Sequence, residues 1–448
     1  MTYLLVPHEA SSDAATLWVG AVAERVEGLT IEVGGRQPAP LTARWTAFDV
    51  RGQPLVRAQR IRIGGLDANR RYPVRLLADG AERATATLAT LPDGLPTLDA
   101  RPFVCLLGSC FCMLTDRAGS AGAALFGMPA SALPHVKFLC GDQVYLDAPA
   151  FRYLRFFDED DLRAELLSKY VETWGQLGPA NGFARLLREG ATYFLSDDHE
   201  FWNNAPMKTP LVRNTDWRPI GDGGASWKRI ASELYRLFQA PGLSATFKVG
   251  RLSFRVLDTR LARAHDRSLL VPVDEMAALE QWVLGLDGPG VLVVSQLMFT
   301  GEAGLRGNLF DWGLPDFSQY GDLVRALQRA PHDVLILTGD VHYGRVSTCR
   351  MTGGAMLIEI VASPFALVDP RARGTWAEPP GVFPAVPVAG ATHAPTGFRA
   401  AHHLEDNHFA TLEFWADGPR VGVSVRAWPI PEIGAPSAPT AVFEQLLN

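Results

Sequence analysis

Cysteine is scarce in this chain of 448 residues: five are present, Cys105, Cys110, Cys112, Cys140 and Cys349. A sparse, odd count at this length argues against a disulfide framework. Long hydrophobic runs are missing too, none approaching the ~20 residues that span a bilayer, so no membrane partner is expected. There is no basic excess, because 42 Lys and Arg face 48 Asp and Glu for a net charge of −6. Specific nucleic-acid binding is therefore not expected. Internal repeats and low-complexity tracts are absent as well. Met1-Thr2-Tyr3-Leu4 leads straight into strand-like sequence, without a charged n-region, apolar h-region or twin-arginine signal. A cytoplasmic location is the default expectation, with a trimmed periplasmic or secreted chain as the alternative. Oligomeric state is not legible.

What is present divides into two textures. Residues 1–95 carry short alternating segments such as Thr16-Leu17-Trp18-Val19, Leu29-Thr30-Ile31-Glu32-Val33 and Arg60-Ile61-Arg62-Ile63, with turn signals at Gly34-Gly35 and Ala78-Asp79-Gly80. That spacing predicts a small all-β sandwich. The run from Leu66 to Tyr72 resembles the corner of a fibronectin III-like domain, with Tyr72 bonded back to the preceding loop. No catalytic constellation falls here, so an accessory role is expected.

Beyond the linker Pro92-Asp93-Gly94-Leu95-Pro96, apolar strands alternate with helical patterns over 96–448, the mark of a layered α/β domain. Strands are predicted at Phe103–Leu107, Val136–Cys140, Thr192–Leu195, Val291–Val294 and Val334–Leu337, and helices at 159–176, 225–239, 274–286 and 321–330. Later strands at 356–362, 409–415 and 421–426 suggest a second sheet packed on the first.

Five segments follow the strand candidates: Gly108-Ser109-Cys110, Gly141-Asp142-Gln143-Val144-Tyr145, Asp197-Asp198-His199-Glu200, Ser295-Gln296 and Gly339-Asp340-Val341-His342. An open α/β sheet delivers side chains to a cleft at the carboxyl ends of its strands in this way. Each segment has a plain reading: Tyr145 packed under its loop, Asp197-Asp198 as a solvated turn, the cysteines as core. Adjacent carboxylates nevertheless repel unless a cation offsets them. If Gly339–His342 is extended, Asp340 and His342 share one face. A metal would hold Cys110 as thiolate, and a Tyr145 phenolate suits Fe3+. Asn203 and Asn204 add neutral ligands or substrate donors, and Arg260 is either a phosphate-binding cation or a structural partner of Asp258. The recurrence of one pattern at five strand ends points to metal-assisted hydrolysis of a phosphate ester.

The set Gly-Ser-Cys, Gly-Asp-x-x-Tyr, Asp-Asp-His-Glu and Gly-Asp-x-His resembles the PhoD-like alkaline phosphatases of the calcineurin-like metallophosphoesterase superfamily. The likeness extends to Leu257-Asp258-Thr259-Arg260 and to the N-terminal β-domain. It implies a four-layer αββα sandwich and a metal-bound hydroxide acting on a small phosphate ester, monoester or diester. It places Cys110, Asp142, Tyr145 and His342 around Fe3+. Asp142 would bridge to one or two divalent ions held by Asp198 and Asp340: Ca2+ first, with Mn2+, Mg2+ or Zn2+ as alternatives. His199 would contact the phosphate and protonate the leaving oxygen, with Asn203, Gln296 and Arg260 beside the substrate. Gln296 stands where the superfamily has a ligand His. The rim segment Asp316-Phe317-Ser318-Gln319-Tyr320 departs from the family pattern, and Ala401–His408 is a His-rich run expected to be a surface loop. The competing expectation is a catalytically silent metal- or phosphate-binding member of the same fold.

Overall fold

The computed structural model describes residues 2–42, 44–116, 119–148, 158–175, 182–207, 224–302, 312–367, 376–398, 404–431 and 438–448. These residues form a mixed α/β structure with four sheets. Three mutually parallel strands, Ala191–Leu195, Val136–Cys140 and Phe103–Gly108, make half of a six-stranded sheet. Every residue in them is buried. That matches the continuous apolar runs that parallel strands need when both faces are covered. His408–Asp417, Arg420–Pro429 and Thr440–Leu447 complete this sheet antiparallel.

In an eight-stranded sheet, Leu252–Leu257, Gly290–Val293, Val334–Thr338 and Met356–Val361 run parallel. The later strands thus correct one sequence expectation. They do not build a sheet of their own, because Met356–Val361 pairs with Val334–Thr338 while His408–Asp417 pairs with Phe103–Gly108.

Alternation along these strands decides which core each side chain enters. Leu107, Phe138, Leu195, Val293, Leu337 and Ile360 share one apolar cluster. Their neighbours Leu106, Leu139 and Phe194 pack instead in a cluster with the helices Glu159–Gly175 and Ala225–Phe238. Leu292 and Ile336 pack with the helices Val273–Leu284 and Tyr320–Gln328.

Described residues between 2 and 89 form two four-stranded antiparallel sheets, one from Thr2–Ala10, Ala14–Val22, Gln53–Gly64 and Thr46–Val50, the other from Ala39–Pro40, Leu29–Val33, Arg71–Ala78 and Ala81–Ala89. Tyr72 Oη accepts the Asp67 N–H at 2.7 Å, in the loop before its own strand. This region is not set apart by a core of its own. Leu5, Leu17 and Leu76 belong to the same cluster as Leu107 and Val293. Trp18, wholly buried, packs on Trp174 and Phe238 and donates its indole N–H to Leu237 O at 2.7 Å.

Candidate metal centre

The carboxyl ends of the two parallel strand sets face each other and are tied together by main-chain and hydroxyl bonds. Gly339 N–H donates to Ser295 O, Cys110 N–H to Gly141 O, and Asp340 N–H to Ser109 Oγ at 3.1 Å. Ser196 donates its N–H and hydroxyl to the Asp258 carboxylate, which also receives the Arg260 and Leu261 N–H groups and the Tyr235 hydroxyl. Six turns therefore meet in one place, three from each sheet.

The backbone in these turns is left-handed rather than extended. Cys110, Asp142, Asp340 and His342 have φ of +56°, +58°, +72° and +58°. The expectation that Asp340 and His342 share a face of an extended strand is thereby corrected. The strand stops at Thr338, and alternation stops with it. Positive φ at non-glycine residues costs of order 1–3 kcal/mol each and concentrates at functional sites. Gly141 (φ +91°) admits a close approach, since a Cβ there would lie 2.3 Å from Asp197 Cβ.

These turns bring together three overlapping ligand groups: Cys110 with Asp142 and Asp340, Asp142 with Asp198 and His199, and Asp197 with Asp198 and Asp340. Within each, the donor atoms lie within 4.8 Å of one another. Cys110 Sγ is 3.5 Å from Asp142 Oδ2 and accepts the Ser363 hydroxyl at 3.2 Å. Burial, followed by Asp142 and Asp340, pushes the Cys110 thiol well up. Burial and then Asp198 do the same to the Asp142 carboxyl, despite the opposing pull of His199. Such crowding of buried anions is costly unless a cation sits among them. Tyr145 supplies an independent sign. Its phenol is buried with no hydrogen-bond partner for Oη among the described residues. The thiolate, carboxylate and phenol donors fit metal ions, and these groups could hold them.

His199 stands at the edge of that crowd with a carboxylate of its own. Its Nδ1 bonds Asp147 Oδ1 at 2.7 Å, and its ring lies over Tyr145 with centroids 4.2 Å apart. Asp147 also accepts the Asn203 N–H at 2.8 Å. Burial disfavours the charged ring, but Asp147, then Asp198 and Asp142, outweigh it and raise the imidazole pKa well above its usual value.

The remaining sequence-predicted residues have mixed fates. Arg260 pairs with the carboxylates of Asp197 (3.0 Å) and Asp198 (3.7 Å), whereas only its main-chain N–H reaches Asp258. Of the two readings of Arg260, a structural pair with Asp258 is not what forms: the carboxylates of Asp197 and Asp198 are its ion-pair partners among the described residues. Asn203 and Asn204 present main-chain N–H groups to Asp147 and Asp198. Gln296 lies between Arg263 and Asp340. His342 donates its N–H to Ser363 Oγ and enters none of the three ligand groups among the described residues. The rim segment is an internal brace: Gln319 Oε1 accepts the Leu270 and Val271 N–H groups, and Tyr320 is buried. His402 and His403 lie outside the described residues. His408, at the end of their run, is 2 % exposed and opens a strand rather than sitting on a surface loop.

Sequence reasoning assigned no role to Asp147, Arg263 or Ser363, and gave Glu200 none within its motif. Glu200 is the anchor of the site, since its carboxylate accepts the N–H groups of Asp142, Gln143 and Asp197 at 2.7–2.8 Å. Asp147 had a faint signal, a third polar position two residues after Tyr145. Arg263 and Ser363 had none.

No family model and no curated protein matches this sequence. Among solved structures, the chain is similar to one titled "Structure of PhoD", at 14% identity and a TM-score of 0.62. The match covers 98% of this chain and 88% of that one. The protein has a PhoD-like fold.

Proposed function

We propose that the protein hydrolyses phosphate esters, monoesters or diesters, at this centre. The observation that carries the reading is the convergence of Cys110, Asp142, Asp198 and Asp340 beside a histidine that is oriented by its own carboxylate. In this reading Cys110, Asp142 and Tyr145 would hold Fe3+, with His342 from the neighbouring turn as the fourth residue. Asp198 and Asp340 would hold one or two divalent ions, of which Ca2+ suits the hard anionic oxygens best. Bound cations would neutralise the phosphoryl oxygens and lower the pKa of the attacking water.

The chain's own groups do the rest. Asp147 accepts from His199 Nδ1 and so leaves Nε2 to face the ester. Asp147, bonded to Nδ1 and outside the metal-holding set, favours the charged ring, and a charged ring is a proton donor to the leaving oxygen as the phosphorus–oxygen bond breaks. Arg260, pinned by Asp197, keeps the adjacent Asp198 from being repelled out of place. All these residues fall after position 96, which supports reading 96–448 as the catalytic domain of a layered αββα type and 1–95 as a fibronectin III-like accessory module.

The test is to measure metals in the purified protein, then assay p-nitrophenyl phosphate and bis-p-nitrophenyl phosphate. His199→Ala should lower kcat by about 10²–10⁴-fold, the usual worth of a general acid, while keeping bound metal. Cys110→Ala should lose iron. A wild-type protein without bound metal would end the proposal, and metal binding without turnover would favour a silent binding protein.

A further inference from the structure

Two residues that stand behind the centre, Arg263 and Gln296, form a directed chain to Asp340. Arg263 is 2 % exposed; it donates Nε–H to Thr259 O at 2.8 Å, Nη1–H to Trp312 O at 3.0 Å, and Nη2–H to Gln296 Oε1. Phe317 lies under its guanidinium, 4.9 Å from ring centroid to Cζ. Gln296 is 3 % exposed, and its Nε2 donates to Asp340 Oδ2 at 3.3 Å.

Chemistry leaves one orientation for this amide. A guanidinium has donors only, so the atom facing it is Gln296 oxygen. The amide nitrogen then faces Asp340, and a carboxylate accepts. Were the amide reversed, donor would meet donor at one end and acceptor would meet acceptor at the other. Each clash would leave a buried polar group unsatisfied, at ~1–3 kcal/mol.

We propose that Gln296 is a positioning residue that relays the Arg263 charge to Asp340, and that it is not a metal ligand. Its only ligand oxygen faces Arg263, and the atom it turns toward Asp340 is a nitrogen that carries hydrogens. The relay turns Asp340 so that its carboxylate serves both the Cys110–Asp142 group and the Asp197–Asp198 group. It also brings the positive potential of Arg263 to Asp340 without placing that guanidinium against the carboxylate. The inference rests on the proposed metal centre, but its geometry does not.

Two measurements decide it. In EDTA-treated protein, urea unfolding of wild type, Gln296→Met, Asp340→Ala and the double variant should be non-additive, the double variant losing less than the sum of the single losses. Additive losses would overturn the relay, because a residue serving only as a ligand has no coupling to Asp340 without metal. In metal-loaded protein, Mn2+ titration followed by electron paramagnetic resonance should give unchanged stoichiometry in Gln296→Met. Its dissociation constant should be weakened about 10–100-fold, as for other groups that orient a ligand. Arg263→Met should weaken it similarly, and Arg263→Lys should recover part of the loss. One ion fewer per chain in Gln296→Met would make Gln296 a ligand and sink the idea. Wild type that binds neither Mn2+ nor any other metal would remove the proposed function, while the metal-free cycle would still decide the relay.

Discussion

Glu200 shows how much of a site is carried by a residue that never faces the reaction. Its carboxylate gathers N–H groups from Asp142, Gln143 and Asp197, so one side chain fastens the turn that carries Asp142 to the turn that carries Asp198. Replacing it with glutamine keeps the shape but turns one acceptor into a donor opposed to an N–H. Glu200→Gln should cost about 1–3 kcal/mol, the penalty of leaving a buried donor unmet, read as a lower urea midpoint. A midpoint equal to wild type would show that the carboxylate is not the fastening. At this scale the sequence revealed residue types but not pairings. Cys110 and Cys112 look alike in the chain. Only the fold sets Cys110 Sγ beside Asp142 and Ser363, while Cys112 remains in an ordinary buried position.

Strands were the most legible elements. Val136–Cys140 has the predicted bounds and the other four strands predicted before the polar segments agree to within a residue at each end, whereas the parallel strand Leu252–Leu257 was not predicted. Continuous burial leaves a short apolar run whose length and flanking Gly or Ser mark it as a strand. Pairing was less legible, because a strand such as Met356–Val361 reads the same whichever sheet it joins. The turns after the strands were located by sequence but misjudged in conformation, since nothing local announces left-handed Asp or His. These turns are also tightly packed. At Gly339 a Cβ would lie 2.2 Å from Ser109 Oγ and 3.2 Å from Cys140 O. Gly339→Ala should therefore push Ser109 away from Asp340 and separate the two sheets' ligands. The expected signs are a loss of roughly 1–3 kcal/mol from overpacking and weaker metal retention on dialysis. Full metal retention with normal stability would mean that the turns tolerate more slack than this packing allows.

Across the whole molecule, the N-terminal sheets and the α/β layers are welded by shared apolar clusters and by buried neutral histidines. His135 Nδ1 accepts the Val104 N–H, so the ring proton sits on Nε2 and is donated to Asn69 Oδ1 at 2.9 Å. Burial, then Arg101 and Arg71, hold its pKa down to about 3. Burial lowers His408 to about 4 and also depresses His8, which Arg60 and Lys137 push further. In each case the unfolded chain, with a pKa near 6.5, binds protons that the native state refuses. Stability from these groups is complete above pH 6.5 and falls as pH drops toward 3–4. At pH 5 the loss is roughly 2 kcal/mol each for His135 and His408. Urea midpoints at pH 7.5 and 5.0 should show this fall, and His135→Gln should reduce it. A fall of the same size in His135→Gln would rule out that histidine as a source.

The sequence by itself determined that this chain builds strands ending in residues that could hold a metal, because apolar runs and abrupt polar punctuation are local properties. It likewise exposed Asp142, Asp198, His199 and Asp340 as candidates through repetition of one pattern. Only the tertiary structure decided which of them meet, how Asp147 and Glu200 orient them, and that Arg263 stands behind Gln296. Those relations join residues tens to hundreds of positions apart, and a hydrogen bond at that separation leaves no trace in either partner's neighbours along the chain.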